Sequence, residues 1–340
     1  MTQTDITQIK ELLSKRKSIV IVTHKNPDGD AMGSSLGLYN FLIRKKHRVT
    51  VITPNDYPSF LHWLPGNNKV MDFFVHPQEA KVKIEKANII FCLDFNGLKR
   101  IDNLQKPVKK SRATKILIDH HLQPEHFADY YFHNKKASST SELVFDFISI
   151  LNEKQFINKK IANCLYCGIM TDSLNFRVHT TSAKTHRIVA ELIEAGAQNT
   201  LAYHHVFGTN TEDCVRLLGH CISHEMKVLK EYNVAFIALS KSDLKKYNFR
   251  KGDIEGVVNY PLSIEGICLS VFFTEMDNEI KISFRSKRNF DVNKFARDHF
   301  NGGGHMNAAG GEEHITLDET VLKFINLLPQ YKNELLRYEM

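Results

Sequence analysis

The sequence predicts an α/β protein in two domains: an amino-terminal parallel sheet with helices on both faces, and a smaller carboxyl-terminal α/β domain reached through a helical connector. Three observations predict it. Short, continuously apolar runs such as SIVIV (18–22), NIIFCL (88–93) and KILI (115–118) have the length and composition of strands buried on both faces. Helical patterns separate these runs up to about residue 197, and that alternation implies a parallel sheet. A chain of 340 residues is also longer than one core usually serves.

Taken in order, the first strand covers Ser18–Val22, and residues 31–44 have the length and apolar content of a helix. A strand follows near 49–53, and the next two apolar runs end at Asp94 and Asp119. Helices are predicted near 141–151, from about Asn158 with Ile161, Leu165 and Ile169 on one face, and near 183–195. These complete a first domain over 1–197. Residues 198–231 read as the connector, with GTNTEDCVRLLGHCISHEM its best amphipathic segment. In 232–340 the strands NVAFIAL, ICLSVFFTE and IKISFRS precede the helix DVNKFARDHF, a glycine-rich loop and a terminal helix.

Chemistry concentrates where strands end. Residues 19–34 read IVIVTHKNPDGDAMGS, so the first strand runs into His24, Asp28 and Asp30, and Gly29 permits a tight turn between the two aspartates. One loop can direct all three inward. Ligand sites of open α/β sheets gather at the carboxyl ends of strands, and Asp94 and Asp119 repeat the pattern of apolar run followed by acidic residue. Carboxylates and imidazoles without a nearby thiolate suit Mn(II), Fe(II), Co(II) or Mg(II) better than a structural zinc site. For Asp30 alone, capping the following helix is the plainer reading. Asp172, in YCGIMTDSLNF, would in isolation be a solvated loop residue.

Together these segments resemble the DHH phosphoesterase superfamily, from THKNPDGDAMGS through LDF and IDHH to GIMTDS, in the family's order. FNGGGHMNAAG (300–310) is similar to the signature of the DHH-associated carboxyl-terminal domain of its exonuclease and oligoribonuclease branches. Any one motif would be a weak signal; five in sequence are specific. The resemblance implies that His24, Asp28 and Asp94 hold one divalent ion, and that Asp30, Asp94, His120 and Asp172 hold a second, with Asp94 bridging. It further implies that Asp119 orients a ligand histidine and that His121 faces the substrate phosphate. Paired ions roughly 3.5–4 Å apart acidify a water and offset charge on phosphoryl oxygens, so no serine or cysteine need act as a nucleophile. Mn(II) is the expected metal, with Mg(II) or Co(II) as alternatives. One departure stands out: the family's TDTG-like turn reads Thr171-Asp172-Ser173-Leu174 here, with leucine in the place of glycine.

In the second domain, Gly302 to His305 would leave backbone N–H groups bare for an anionic group. The preceding stretch interleaves Lys281, Arg285, Lys287, Arg288, Lys294 and Arg297 with Phe284, Phe290 and Phe295, a mixture that suits nucleotides. Lys287, Arg288 and Arg297 taken singly read as solvated charges. The resemblance implies that Arg285 and His305 contact the nucleotide or its phosphate, with Gly303 and Gly304 shaping the pocket. His220 and His224 have the i, i+4 spacing of a helical ligand pair but no acidic partner at motif spacing, so a metal role is not assigned to them.

Whole-chain properties agree. A net charge of +7 favours anionic partners without approaching the composition of a chromatin or ribosomal protein. No apolar stretch approaches the roughly 20 residues of a bilayer span and no secretory signal is evident, so a cytoplasmic location is expected with no membrane partner. The six cysteines, among them Cys164 and Cys167, read as reduced core residues. The resemblance implies a metal-dependent exonuclease that degrades very short oligoribonucleotides to nucleoside 5'-monophosphates and dephosphorylates 3'-phosphoadenosine 5'-phosphate (pAp) to AMP. Alternatives are a pApA or cyclic dinucleotide phosphodiesterase, and a non-enzymatic RNA- or nucleotide-binding module. No motif specifies an oligomeric state; a homodimer is compatible with the sequence.

Overall fold

A computed structural model describes residues 2–178 and 180–337, which form two compact units dividing at Thr209 and Asn210. In the first, α1 (Gln3–Leu12), β1 (Ser18–Val22), α2 (Gly29–Arg44), β2 (Arg48–Thr53), β3 (Val70–Asp72) and α3 (Pro77–Glu85) lead to β4 (Ile89–Leu93). Next come α4 (Gln105–Lys110), β5 (Thr114–Asp119), β6 (Tyr130–His133), α5 (Thr140–Ile150), α6 (Lys159–Asp172), α7 (Ala183–Glu194) and α8 (Asn199–Phe207). The sheet is wholly parallel, in the order β3-β2-β1-β4-β5-β6.

Alternation along the strands explains both apolar faces. Ile19, Ile21, Phe91, Ile116 and Ile118 enter one core with α2, α5 and α6, while Val20, Val22, Ile90, Cys92 and Leu117 enter a second with Ala80 and Ile84 of α3. A strand covered on both sides needs apolar residues at every position, hence the unbroken runs. The short β3 and β6 carry only half-buried residues and gave no such run. The strand order reverses between β1 and β4, whose carboxyl ends therefore flank the crevice where doubly wound sheets bind ligands.

The second unit contains α9 (Glu212–His220), a π-helical turn (Cys221–Glu225), β7 (Met226–Leu229), β8 (Val234–Leu239), α10 (Lys241–Lys246), β9 (Leu269–Glu275) and β10 (Ile280–Ser286). It ends with α11 (Val292–His299), β11 (Gly303–His305), β12 (Ala308–Glu313) and α12 (Leu317–Leu336). Its sheet, in the order β11-β12-β10-β9-β8-β7, is mixed: β8 pairs with β9 in parallel and the remaining pairs are antiparallel. The segment read as helical up to residue 231 turns into strand at Met226, because Met226 to Leu229 pair with β8. Phe284, Phe290 and Phe295 lie buried in the core with Phe300 and Phe324. They serve packing rather than base stacking, since Phe284 occupies the inward-facing register of β10 with Ile280 and Ile282.

Candidate metal-binding active site

The tips of β1, β4 and β5 and the ends of three helices bring the amino-terminal candidates together. His24 follows β1. Asp28, not Asp30, caps α2: its Oδ1 accepts from the amides of Asp30 and Ala31, both at 3.0 Å, while its Oδ2 lies 3.9 Å from His24 Nε2. Asp30, inside the first turn, instead reaches the amino terminus of α5, accepting from the amides of Thr140 at 2.6 Å and Ser141 at 2.9 Å. A helix amino terminus favours negative charge, so α5 acts as a clamp on this carboxylate.

Asp94 lies between two groups of side chains. Its Oδ2 is 3.4 Å from His24 Nε2 and its Oδ1 is 3.7 Å from His120 Nε2. On one side stand His24 and Asp28; on the other stand Asp30, His120 and Asp172, with His120 Nε2 4.0 Å from Asp30 and 3.4 Å from Asp172. Asp94 adopts the left-handed conformation, φ +64°, which aspartate tolerates better than most residues and which ends β4 abruptly. Thr140 Oγ1 donates to Asp94 Oδ1 at 2.8 Å. Asp172 is the last residue of α6, where the helix dipole disfavours a carboxylate; a cation beside it would offset that cost.

The histidine tautomers indicate what belongs between these groups. His24 Nδ1 faces the Lys25 carbonyl at 2.8 Å and His120 Nδ1 the Ala137 carbonyl at 3.3 Å. A carbonyl only accepts, so each Nδ1 carries the proton and each Nε2 turns a lone pair toward carboxylates. Acceptors thus converge on acceptors, a donor set that fits divalent cations. Without them protons fill the role. Burial lowers the basicity of both histidines, but Asp94 and Asp28 around His24, and Asp172, Asp94 and Asp119 around His120, outweigh it and raise both above the ordinary range. Burial, with Asp94 and Asp172 nearby, pushes the Asp30 carboxyl well up. Burial opposes ionisation of Asp94 too, yet the His24 hydrogen bond and the charges of His121, His24 and His120 hold its carboxyl well below the usual range.

Asp119 orients a histidine, though His121 rather than one of the expected ligand histidines: His121 Nδ1 donates to Asp119 Oδ1 at 2.8 Å. Residues two apart in an extended segment share a side, which separates His120 from this pair. Burial, then the charge of Arg100, lowers the His121 imidazole against the pull of Asp119. Asp119 is fully buried and its Oδ2 has no hydrogen-bond partner. Thr140, Ser141 and Arg100 were not foreseen. A signal existed for the first two, since Ser139 followed by Glu142 marks a helix start, and Ser139 does accept from the Glu142 amide at 3.0 Å.

In the second unit Arg285 lies on β10 opposite Ala308, its Nη1 donating to the Phe284 carbonyl at 2.9 Å. The glycine segment is a strand and not an open loop: Gly303 to His305 pair with Gly310 to Ala308 in a hairpin. The Gly304 amide, expected to be bare, donates to Asn293 Oδ1 at 2.9 Å. Close backbone approach accounts for the glycine here, because a Cβ on Gly304, whose φ is +153°, would lie 2.5 Å from the Ala308 carbonyl oxygen.

The chain is similar in sequence and fold to known proteins. Residues 18–169 match the DHH family, N-terminal domain, and residues 229–330 match the DHHA1 domain. The bifunctional oligoribonuclease and PAP phosphatase NrnA of Bacillus subtilis is 30% identical over 89% of this chain and 92% of its own length. The chain belongs to the DHH family. It is also similar to the crystal structure of an exopolyphosphatase-related protein from Bacteroides fragilis, with 43% identity, a TM-score of 0.94 and 98% of each chain covered. The cyclic-di-AMP phosphodiesterase PdeA of Listeria monocytogenes is 25% identical over 95% of this chain but only 49% of its own length.

In this DHH-family phosphoesterase the segment that carries leucine in place of glycine in the fourth motif forms a left-handed turn. Leu174, Asn175 and Phe176 have φ of +47°, +58° and +66°. Hydrogen bonds hold them there: the Asn175 amide donates to the Met170 carbonyl at 2.8 Å, and the Phe176 amide to Ser173 Oγ at 3.0 Å. Among the described residues no helix is long and apolar enough to cross a membrane.

Proposed function

We propose that this DHH-family enzyme hydrolyses very short oligoribonucleotides to nucleoside 5'-monophosphates and removes the 3'-phosphate of pAp to give AMP. The placement of Asp94, with one carboxylate oxygen toward His24 and the other toward His120, carries the proposal, because it supports two cation positions sharing one ligand. In this reading His24, Asp28 and Asp94 hold one ion and Asp30, Asp94, His120 and Asp172 the other. Bound divalent ions, Mn(II) foremost, would supply a water of lowered pKa and neutralise charge on the phosphoryl group.

The residues of the chain do the remaining work. Thr140 fixes the Asp94 carboxylate, and α5 fixes Asp30 through two amides. Asp119 holds the His121 ring so that Nε2 is presented; on meeting a phosphate, that nitrogen takes up a proton and donates it. Arg285 and His305 would take the terminal nucleotide or its phosphate, beside Gly303 and Gly304. Likeness in both domains to NrnA supports the choice of substrates.

The likeness to PdeA supports a second reading, a phosphodiesterase acting on pApA or a cyclic dinucleotide. Hydrolysis of a 5'-labelled RNA dimer, a long RNA, pApA and pAp with Mn(II) tests both, alongside Asp94→Ala. Rapid loss of the dimer and pAp with slow loss of the long RNA is expected, and none with Asp94→Ala. Turnover of pApA alone would transfer the enzyme to the second reading, and full activity of folded, metal-replete Asp94→Ala would overturn the shared-ligand site.

A further inference from the structure

We infer that the second unit carries a separate transition-metal site, formed by His220, Glu225 and Asp243, that clamps α9 to α10. His220 Nε2 lies 3.3 Å from Glu225 Oε1 and 3.2 Å from Asp243 Oδ1, and the three ligand atoms fall within 4.8 Å of one another. For bonds of about 2.0–2.2 Å, the length of zinc–nitrogen and zinc–carboxylate bonds, tetrahedral geometry places neighbouring ligand atoms roughly 3.3–3.6 Å apart. Both distances from His220 are already near that spacing. One imidazole, two carboxylates and no thiolate form a donor set for Zn(II), Co(II) or Mn(II).

Two features of the local chain build the cluster. In an α-helix, residues five apart point about 140° away from each other. The chain from Cys221 to Glu225 instead winds as a π-helix, where residues five apart are one turn apart, so Glu225 comes round beneath His220. Such π-turns carry a conformational cost and are frequent at functional sites. Asp243 is fixed independently, as its Oδ2 accepts from the Ser240 amide at 3.2 Å in the capping box of α10, leaving Oδ1 toward His220. The side chain of His220 is only 11% exposed, and His224 stacks on it with ring centroids 5.2 Å apart, so the imidazole has little freedom to turn away. The missing acidic partner of the His220–His224 pair is therefore supplied by sequence-distant Asp243 and by the π-turn.

A metal here would join three consecutive pieces of the second unit: α9, the turn into β7, and the start of α10. It would stabilise that unit by mass action, independently of the catalytic cluster.

The test uses the full-length protein stripped of metal and reloaded with Co(II), compared with Glu225→Gln and with His220→Gln. The parent should bind one more Co(II) per chain than either variant, with loss of one component of the visible d–d absorption and at least about a tenfold loss of affinity for that ion. Zn(II) should raise the melting temperature of the parent more than that of Glu225→Gln, and hydrolysis at saturating Mn(II) should be unchanged. Equal Co(II) stoichiometry and equal Zn(II)-induced shifts in parent and folded variants would overturn the site and leave a plain histidine–carboxylate ion pair. Glu225→Gln, at a side chain 32% exposed, guards against failure of the more buried His220→Gln to fold.

Discussion

Gly33→Ala addresses how the candidate metal-binding carboxylates are spaced. Gly29, Gly33 and Gly37 recur every four residues on the face of α2 that meets α6, and a Cβ at Gly33 would stand 2.6 Å from the Cys164 carbonyl oxygen and 2.8 Å from the Gly168 amide and Cα. These atoms are backbone, so no side chain can swing aside. Reaching an ordinary contact of 3.4 Å requires the helices to part by about 0.6–0.8 Å. Overpacking of this kind costs about 1–3 kcal/mol, and a backbone clash belongs at the upper end. Alanine in a helix interior returns about 1 kcal/mol, leaving a net destabilisation of about 1–2 kcal/mol. For a unit of this size that lowers the melting temperature by roughly 2–8 °C.

Function should suffer more. Asp30 rides on α2 and Asp172 ends α6, so parting the helices moves these two candidate ligands apart on either side of His120. Misplacement by about 1 Å can reduce a rate by roughly a hundredfold, so a loss of about 10- to 100-fold in pAp hydrolysis with Mn(II) is expected. Gly219→Ala in α9 is the control, since a Cβ there meets nothing within 4 Å. It should gain about 0.5–1 kcal/mol and keep full activity. Gly33→Ala protein that melts at or above the parent temperature and turns over normally would refute the proposed role of glycine in setting the α2–α6 approach.

Other expectations follow from the same geometry. Asp119→Asn should reduce turnover about 10- to 100-fold while metal content, measured by elemental analysis, stays constant, because the hydrogen bond that orients His121 is weakened while the candidate ligands are untouched; loss of metal would instead make Asp119 a ligand. Leu174→Gly removes a left-handed strain of about 1–2 kcal/mol but frees the unfolded chain by about 0.5–1, so thermal melts should show stability unchanged or slightly raised, with activity intact; a fall of several degrees would show that Leu174 packing dominates. Chelation of enzyme held in free metal at about 100 times the dissociation constant should cost about 2.7 kcal/mol, or roughly 5–11 °C, since the buried carboxylates of Asp30 and Asp94 would lose their counter-charge; an unchanged melt would argue against resident metal. Burial, with Asp56 and Asp72 nearby, pushes the Tyr57 phenol up to about 12 from an ordinary value of 10.0. Its raised value means that the stability it contributes is present below pH 10 and is lost as pH rises toward 12, so Tyr57→Phe should show a shallower alkaline fall in denaturant midpoint than the parent; parallel profiles would exclude Tyr57.

Much of this protein is determined by sequence alone. Strands buried on both faces must be apolar at every position, so β1, β4 and β5 could be read from SIVIV, IIFCL and the KILI run, and each acidic residue after them marked a strand tip. The half-buried β3 and β6 lack that constraint and carried no equivalent signal. What needed the tertiary structure is pairing between residues distant in the chain: Asp30 with the α5 amides, Thr140 with Asp94, and Asp243 with His220. Periodicity in one segment records which face is buried, but not which neighbour covers it. The aromatic residues of the basic stretch show the same limit, since a phenylalanine beside an arginine suits a nucleotide or a core equally well until the register of β10 turns Phe284 inward. Local patterns fix element type and strand ends because their causes are local; partners, tautomers and ligand spacing are fixed by packing, which no single segment contains.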